Sequence, residues 1–379
     1  MLNKKWKKDI KWPLLFSGIC HKEKKTDGCC IIYVFGMKVF SYKKYKTLVS
    51  NNYKYIHVMW NDKFNKPFVD FLNRNFDASE HLILCKHIFQ QFPFPEGDNV
   101  VEIENLKGLK LTKDQKLICH SLFDDELVDW LYRNKSILKK QAYWVIWGGD
   151  LYNAPRDKKN DFVRKNFKGY MVFANNDKKV LIDKYGTVAN SFYPIEYPLC
   201  LDVSSIEPIK NDFLKIQINN SADDTTLEML DVLSKFKNEN IKITTILSYG
   251  KIEYKDEIIK KGKEIFGDKF EYLDKMLSPL DYAKHIASLD VFIANQNRQQ
   301  ATANIDMCLY FNKKVFIKSN ISTFDMYTSL GYKIFDTYSI DEQTFSEFKK
   351  YEINKNHDLA QYYISDEYRK KLWKDVLND

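Results

Sequence analysis

The chain has neither a G-x-G-x-x-G nor a G-x-x-x-x-G-K-[ST] run, and only 13 of its 379 residues are glycine. A dinucleotide or ATP site of the usual kind is therefore not supported. There is no Cys-x-x-Cys; of the seven cysteines only Cys29 and Cys30 adjoin, and vicinal cysteines rarely pair with each other. Reduced thiols in a cytoplasm are expected, and a zinc site is not. No apolar run reaches the ~18 residues of a membrane-spanning helix. The longest, Cys29 to Phe40, is broken by Gly36 and Lys38. The start, Met1-Leu2-Asn3-Lys4-Lys5-Trp6, lacks a signal-peptide pattern. The expectation is a soluble or membrane-peripheral protein. No Asp-x-Asp stands at the end of a strand with metal-ligand character, so metal-independent chemistry is expected, with no metal ligands.

What is present is apolar and aromatic material, 44% and 15% of the residues, enough for real cores. The length suggests roughly two domains of about 150–200 residues. Charge is uneven. Residues 1–50 hold 12 lysines against Asp9, Glu23 and Asp27, a net +9, whereas the whole chain is +8. The globular remainder is thus near neutral. Around the lysines stand Trp6, Trp12, Phe16, Phe35, Phe40, Tyr42 and Tyr45. Lysine with interfacial aromatics suits an anionic membrane surface; a solvated basic tail is the alternative. The segment carries no arginine, the better reader of bases and phosphates, so nucleic acid is not an expected partner.

Periodicity predicts two βα alternations. Tyr53 to Trp60, His81 to Cys85, Val100 to Ile103, Lys116 to Cys119, Gln141 to Trp147, Met171 to Ala174 and Ser191 to Tyr193 read as strands of a first sheet. Asn65 to Asn75 and Asp124 to Asn134 read as its helices. Prolines punctuate a linker near 194–210. Leu214 to Ile218, Ile241 to Leu247, Phe270 to Leu273, Val291 to Ala294 and Lys314 to Ile317 then form a second set, again separated by helices, and Tyr362 to Leu377 closes the chain. Strands alternating with helices of this length mean parallel sheets. The expected class is α/β, with two facing Rossmann-like doubly wound domains. The expected divisions are a basic-aromatic extension at 1–50, an N-terminal domain at 51–205, a C-terminal domain at 206–350, and a helix at 351–379 packing back on the N-terminal domain.

Three loops follow apolar strands, where an open α/β sheet binds ligands. They are Trp147-Gly148-Gly149-Asp150-Leu151-Tyr152, Asn219-Asn220-Ser221-Ala222-Asp223-Asp224 and Asn295-Gln296-Asn297-Arg298-Gln299-Gln300. Small polar residues before a helix let backbone N–H groups meet a phosphate, although Asp223 or Asp224 is equally suited to capping that helix. Arg298 beside a helix start suits a diphosphate; a surface arginine is the alternative. His120, at a strand end before Ser121, is a candidate base for a sugar hydroxyl, with His57 a similar candidate, and each is equally readable as a structural histidine. Asp150 is the strongest carboxylate candidate, or else bonds its own backbone in a tight turn.

With those residues in place, the chain resembles the bacterial TDP-Fuc4NAc:lipid II Fuc4NAc transferases, the 4-α-L-fucosyltransferases of glycosyltransferase family 56. The resemblance runs from about Tyr55 to Ile317. It rests on Ile56-His57-Val58, Cys119-His120, Trp147 to Tyr152, Asn220 to Asp223, Tyr249 and Arg298 to Gln300. It implies a GT-B glycosyltransferase using a TDP-sugar donor and an undecaprenyl-diphosphate-linked acceptor at the inner face of the cytoplasmic membrane. Asn220, Ser221, Asp223, Tyr249, Arg298, Gln299, Gln300 and Thr302 would then face the donor. His57, Trp147, Gly148, Gly149 and Tyr152 would face the acceptor, with His120 and Asp150 catalytic. The family has glycines where this chain has Asn219, Ala222, Ala301 and Ala303. The expected activity is transfer of a deoxy or acetamido-deoxy hexose such as Fuc4NAc from a TDP- or UDP-sugar to a glycan, without cofactor or metal, in surface polysaccharide synthesis. The rivals are a transferase of other donor specificity acting on lipooligosaccharide or capsule, and a non-catalytic membrane or glycan adaptor.

Overall fold

Short, almost wholly apolar runs such as Ala142–Val145 and Val291–Ala294 are buried at every position, the signature of strands covered by helices on both faces. The computed structural model describes residues 20–24, 29–34, 37–43, 53–173, 176–186, 191–199, 201–352 and 355–379. Within 1–50, where a basic-aromatic extension without assigned elements was expected, Cys20–Lys24 (β1), Cys29–Val34 (β2) and Met37–Lys43 (β3) form an antiparallel sheet.

The first parallel sheet contains Tyr55–Trp60 (β4), His81–Lys86 (β5), Val100–Glu102 (β6), Lys116–His120 (β7), Ala142–Val145 (β8), Gly169–Val172 (β9) and Ser191–Pro194 (β10), in the order β10-β9-β8-β7-β4-β5-β6. The second contains Leu214–Ile218 (β11), Ile241–Ile246 (β12), Phe270–Leu273 (β13), Val291–Ala294 (β14), Lys314–Ile317 (β15) and Phe335–Asp336 (β16), in the order β13-β12-β11-β14-β15-β16. Both are doubly wound. Strand order reverses between β4 and β7 in the first sheet and between β11 and β14 in the second, and a crevice opens at such switch points.

Core clusters line both faces of each sheet. The single closing helix expected at Tyr362 to Leu377 is two helices, Asn356–Tyr363 and Asp366–Asn378. Ser365 divides them, its hydroxyl accepting the Tyr368 N–H at 3.1 Å; such a serine satisfies a donor that a continuous helix would leave to the preceding turn. Asp366–Asn378 packs on the first sheet through Trp373, Val376 and Leu377, with Lys116 Nζ donating to the Leu377 carbonyl at 2.8 Å. The strand expected at Met171 to Ala174 begins earlier, at Gly169, where a Cβ would lie 2.6 Å from the Tyr143 ring. No helix among the described residues is long and apolar enough to cross a membrane.

Candidate active site

The loops after β8, β11 and β14 converge where the two sheets face each other. Gly148 has φ +82°, and a Cβ there would stand 2.5 Å from Gln299 Oε1 and 3.3 Å from the Gln299 carbonyl. The backbone of one domain thus rests on the other at a point only glycine fits. Beside it Tyr152 donates to Asp177 Oδ1 at 2.6 Å, and Ser322 of the second domain donates to the same oxygen at 3.3 Å. Lys63 Nζ lies 4.9 Å from the centre of the Tyr249 ring, a third contact across the seam.

On the second domain the loops after β11 and β14 are tied together. Gln300 Nε2 donates to Asn220 Oδ1 at 3.0 Å and to Ser221 Oγ at 2.9 Å, and Gln296 Nε2 donates to Asn220 Oδ1 at 3.1 Å. Asn219 Oδ1 accepts the Asn295 N–H at 2.8 Å. Asp223 accepts from the Thr225 N–H at 3.0 Å and its hydroxyl at 2.8 Å, so it caps the helix Asp224–Leu233. Asn219 and Ala301, two of the four positions where the resemblance implies glycine, are left-handed at φ +53° and +64°; these loops keep a glycine-type backbone without glycine. Ala301 precedes the helix Thr302–Tyr310 and gives it no side-chain cap. The carbonyl of Thr302 accepts from Tyr327 Oη at 3.2 Å.

Arg298 is half-buried between these loops. Its Nη1 donates to the Gln299 carbonyl at 3.1 Å, and no carboxylate among the described residues lies within ion-pair distance of it. Burial pulls its pKa down, against the fields of Asp223, Tyr152 and Tyr249. A guanidinium taken partly out of water without a counterion is a site for an anion.

On the first domain three of the candidates are buried. Asp150, 1% exposed, does not face the cleft. It accepts from the Trp144 Nε1–H at 2.8 Å and from the N–H groups of Leu122 and Trp147, each at 2.9 Å. It is the knot of its own turn. Burial raises its pKa, opposed by those hydrogen bonds and by Arg164.

His120, 2% exposed, ends a buried chain. His81 Nδ1 meets His57 Nε2 at 3.0 Å, His57 Nδ1 meets His120 Nε2 at 2.9 Å, and His120 Nδ1 meets Tyr197 Oη. Trp373 of the C-terminal helix stacks on His120, their ring centres 6.1 Å apart. Desolvation holds all three histidines neutral at pH 7, with His81 pulled to about 4, His120 to about 3, and His57 well down. His57 is wholly buried in mid-strand.

The wall that remains is aromatic. Trp60 and Phe123 stack at 5.9 Å with 10° between their planes, Phe64 stands edge-on to Trp147 at 5.8 Å, and Phe123 is 46% exposed. A Cβ at Gly149 would lie 2.9 Å from the Phe123 ring. Trp60, Asp62 and Phe64 escaped the reading from sequence as site residues, and Phe123 entered it only as a residue that follows Cys119-His120 in the resemblance. The rule that loops follow strands, applied after β8, β11 and β14, also holds after β4 and β7. Among the described residues no three His, Cys, Asp or Glu side chains group to hold a metal; Cys85, Cys119 and Cys308 are free and buried.

Two facing doubly wound domains meeting at their switch-point loops define the GT-B class of glycosyltransferases. The chain belongs to the 4-alpha-L-fucosyltransferase family, glycosyl transferase group 56, which it matches over residues 94–379, and it is a hexosyltransferase. No curated protein matches it. Among solved structures it is similar to the lipopolysaccharide outer core galactosyltransferase WaaB, with 9% identity, TM-score 0.59, and coverage of 85% of this chain and 99% of that one. It is also similar to a glycosyltransferase from Rickettsia africae, with 11% identity, TM-score 0.55 and coverage of 87% and 93%. A third is the N-terminal domain of Candida albicans trehalose-6-phosphate phosphatase, with 11% identity, TM-score 0.60 and coverage of 88% and 98%. Likeness at these identities concerns the fold.

Proposed function

We propose that this hexosyltransferase takes a deoxy or acetamido-deoxy hexose, such as Fuc4NAc, from a TDP- or UDP-sugar and passes it to a glycan carried on undecaprenyl diphosphate. The single observation that carries the donor side is Arg298. It is a half-buried cation without a carboxylate partner among the described residues, four residues before the helix Thr302–Tyr310 and within the field of Asp223, which caps the helix Asp224–Leu233. A diphosphate leaving there would receive a charge-assisted hydrogen bond and two helix dipoles. Asn220, Ser221, Gln299, Gln300 and Thr302 line that side, with Tyr249 beside it. Trp147, Gly148, Gly149 and Tyr152 belong to the opposite wall, where the acceptor would enter. Diphosphate stabilisation by Arg298 requires no metal.

The lipid carrier and the location at the inner face of the cytoplasmic membrane rest on the family's chemistry and on residues 1–50, whose +9 charge and aromatic content suit an anionic bilayer surface. A thermal-shift panel of TDP, UDP, GDP, CDP and ADP with EDTA tests the donor side. A ligand at about 100 times its Kd adds roughly 2.7 kcal/mol of stability, so TDP or UDP should raise the melting point without metal. UDP alone would favour a transferase of different donor specificity acting on lipooligosaccharide or capsule, and no shift with any of the five would remove the reading.

A further inference from the structure

The first sheet has its own switch point, and its loops are Asn61-Asp62-Lys63-Phe64 after β4 and Ser121-Leu122-Phe123 after β7. It mirrors the place that Arg298 occupies on the second sheet. Both neighbours of Asp62 on the C-terminal side line the seam: Lys63 Nζ is 4.9 Å from the Tyr249 ring centre, and Phe64 stands against Trp147. Resting on the donor site above, we propose that Asp62 is the base that takes the proton from the acceptor hydroxyl, while the Trp60–Phe123 pair seats the acceptor sugar.

Elimination supports the choice. Asp150 points inward to three donors. Asp177 is wholly buried and held by Tyr152 and Ser322. Asp223 caps a helix on the donor side. Asp62 is half-buried, its carboxylate receives the Phe64 N–H at a long 3.3 Å, and it has no ion pair among the described residues. Burial raises its pKa, with Lys63 acting the other way, and a carboxylate with a raised pKa is the stronger base. Trp60 and Phe123 offer a flat apolar face at the same switch point, onto which the C–H face of a sugar ring packs.

The step balances. The acceptor O–H bond breaks and its proton passes to Asp62, while the oxygen bonds the anomeric carbon. The bond from that carbon to the diphosphate oxygen breaks, and its electron pair leaves with the nucleoside diphosphate beside Arg298.

The test uses the full chain. Binding of TDP and UDP is followed by thermal shift, and turnover by nucleoside diphosphate released from the TDP- or UDP-hexose, with water or octyl glycosides as acceptor. Asp62→Asn and Asp62→Ser should keep the melting point and the nucleotide affinity within about twofold, yet lose about 10²–10⁴ in kcat. Asp62→Glu should recover part of that loss. Phe123→Ala should raise the KM for octyl glycosides and leave nucleotide affinity unchanged. Asp62→Asn at wild-type kcat, or loss of nucleotide binding alongside turnover, overturns the proposal alone. A wild-type chain that binds no nucleotide overturns the donor reading and this proposal with it.

Discussion

On the wall built by β11 and β14, amides bond to amides, and Arg298 stands without a counterion among the described residues. On the wall built by β4 and β7, aromatic rings face the cleft while the polar groups behind them, Asp150 and the three histidines, are closed off from it. The difference is one of where charge is left unsatisfied. The β11–β14 wall leaves a part-buried positive charge at Arg298. On the β4–β7 side Asp150 and the three histidines serve the architecture, because a buried polar group without a partner costs about 1–3 kcal/mol, and each of these four has found one, while Asp62 stands outside that network.

That contrast can be broken experimentally. The largest effect expected is from His120→Ala. It opens a cavity under Trp373 and strands His57 Nδ1 and Tyr197 Oη, so unfolding by urea should show a loss of about 3–5 kcal/mol. Nucleotide affinity in the folded protein should be unchanged. Arg298→Ala should do the opposite, lowering nucleoside diphosphate affinity in calorimetry by about 2–3 kcal/mol with little change in stability. If His120→Ala abolished nucleotide binding while the fold stayed intact, the division of labour between the walls would be wrong.

The pH dependence of stability sharpens the picture of the first domain, because its buried carboxylate and its buried histidines have opposite signs. Asp177 is raised to about 6, first by burial, with Tyr152 and Ser322 opposing. The folded state thus holds a proton that the unfolded chain releases near pH 4. Stability from this group falls as pH rises from about 4 to 6, and the penalty is complete above 6. Asp177→Asn keeps an acceptor for Tyr152, so it should gain roughly 1–3 kcal/mol over wild type at pH 7 and nothing at pH 4. The histidines, with lowered pKa values, act the other way. Their neutral chain costs nothing above pH 6.5 and destabilises the fold as pH falls toward 4, which thermal melts across pH 4–8 would resolve. The smallest effect is Ala301→Gly: relief of a left-handed alanine, offset by glycine's entropy, should raise stability by less than about 1 kcal/mol.

Much of the architecture was legible. Alternating apolar runs and helices announced two parallel sheets, and the loops after β8, β11 and β14 stood out by their small and polar residues. The alternative readings of Asp150 as a self-bonded turn and of Asp223 as a helix cap were legible too, since both are local. The β1–β3 sheet was not, because its strands lie in a lysine-rich segment read by charge rather than by period. The role of His120 was not either, because Trp373, which covers it, comes from the last helix of the chain. The loop after β4 was overlooked because Asn61-Asp62-Lys63-Phe64 has no glycine or other unusual composition to mark it; what distinguishes it is that β7, not β5 alone, lies beside β4.

By itself the sequence determined periodicity, strand–loop–helix order and the charge of each segment, which follow from backbone geometry and side-chain type within a few residues. Only the tertiary structure decided which strand-end groups face solvent, which turn inward, and which loops of one domain meet those of the other. Burial and strand order are set by chain segments hundreds of residues apart, and no local pattern records them.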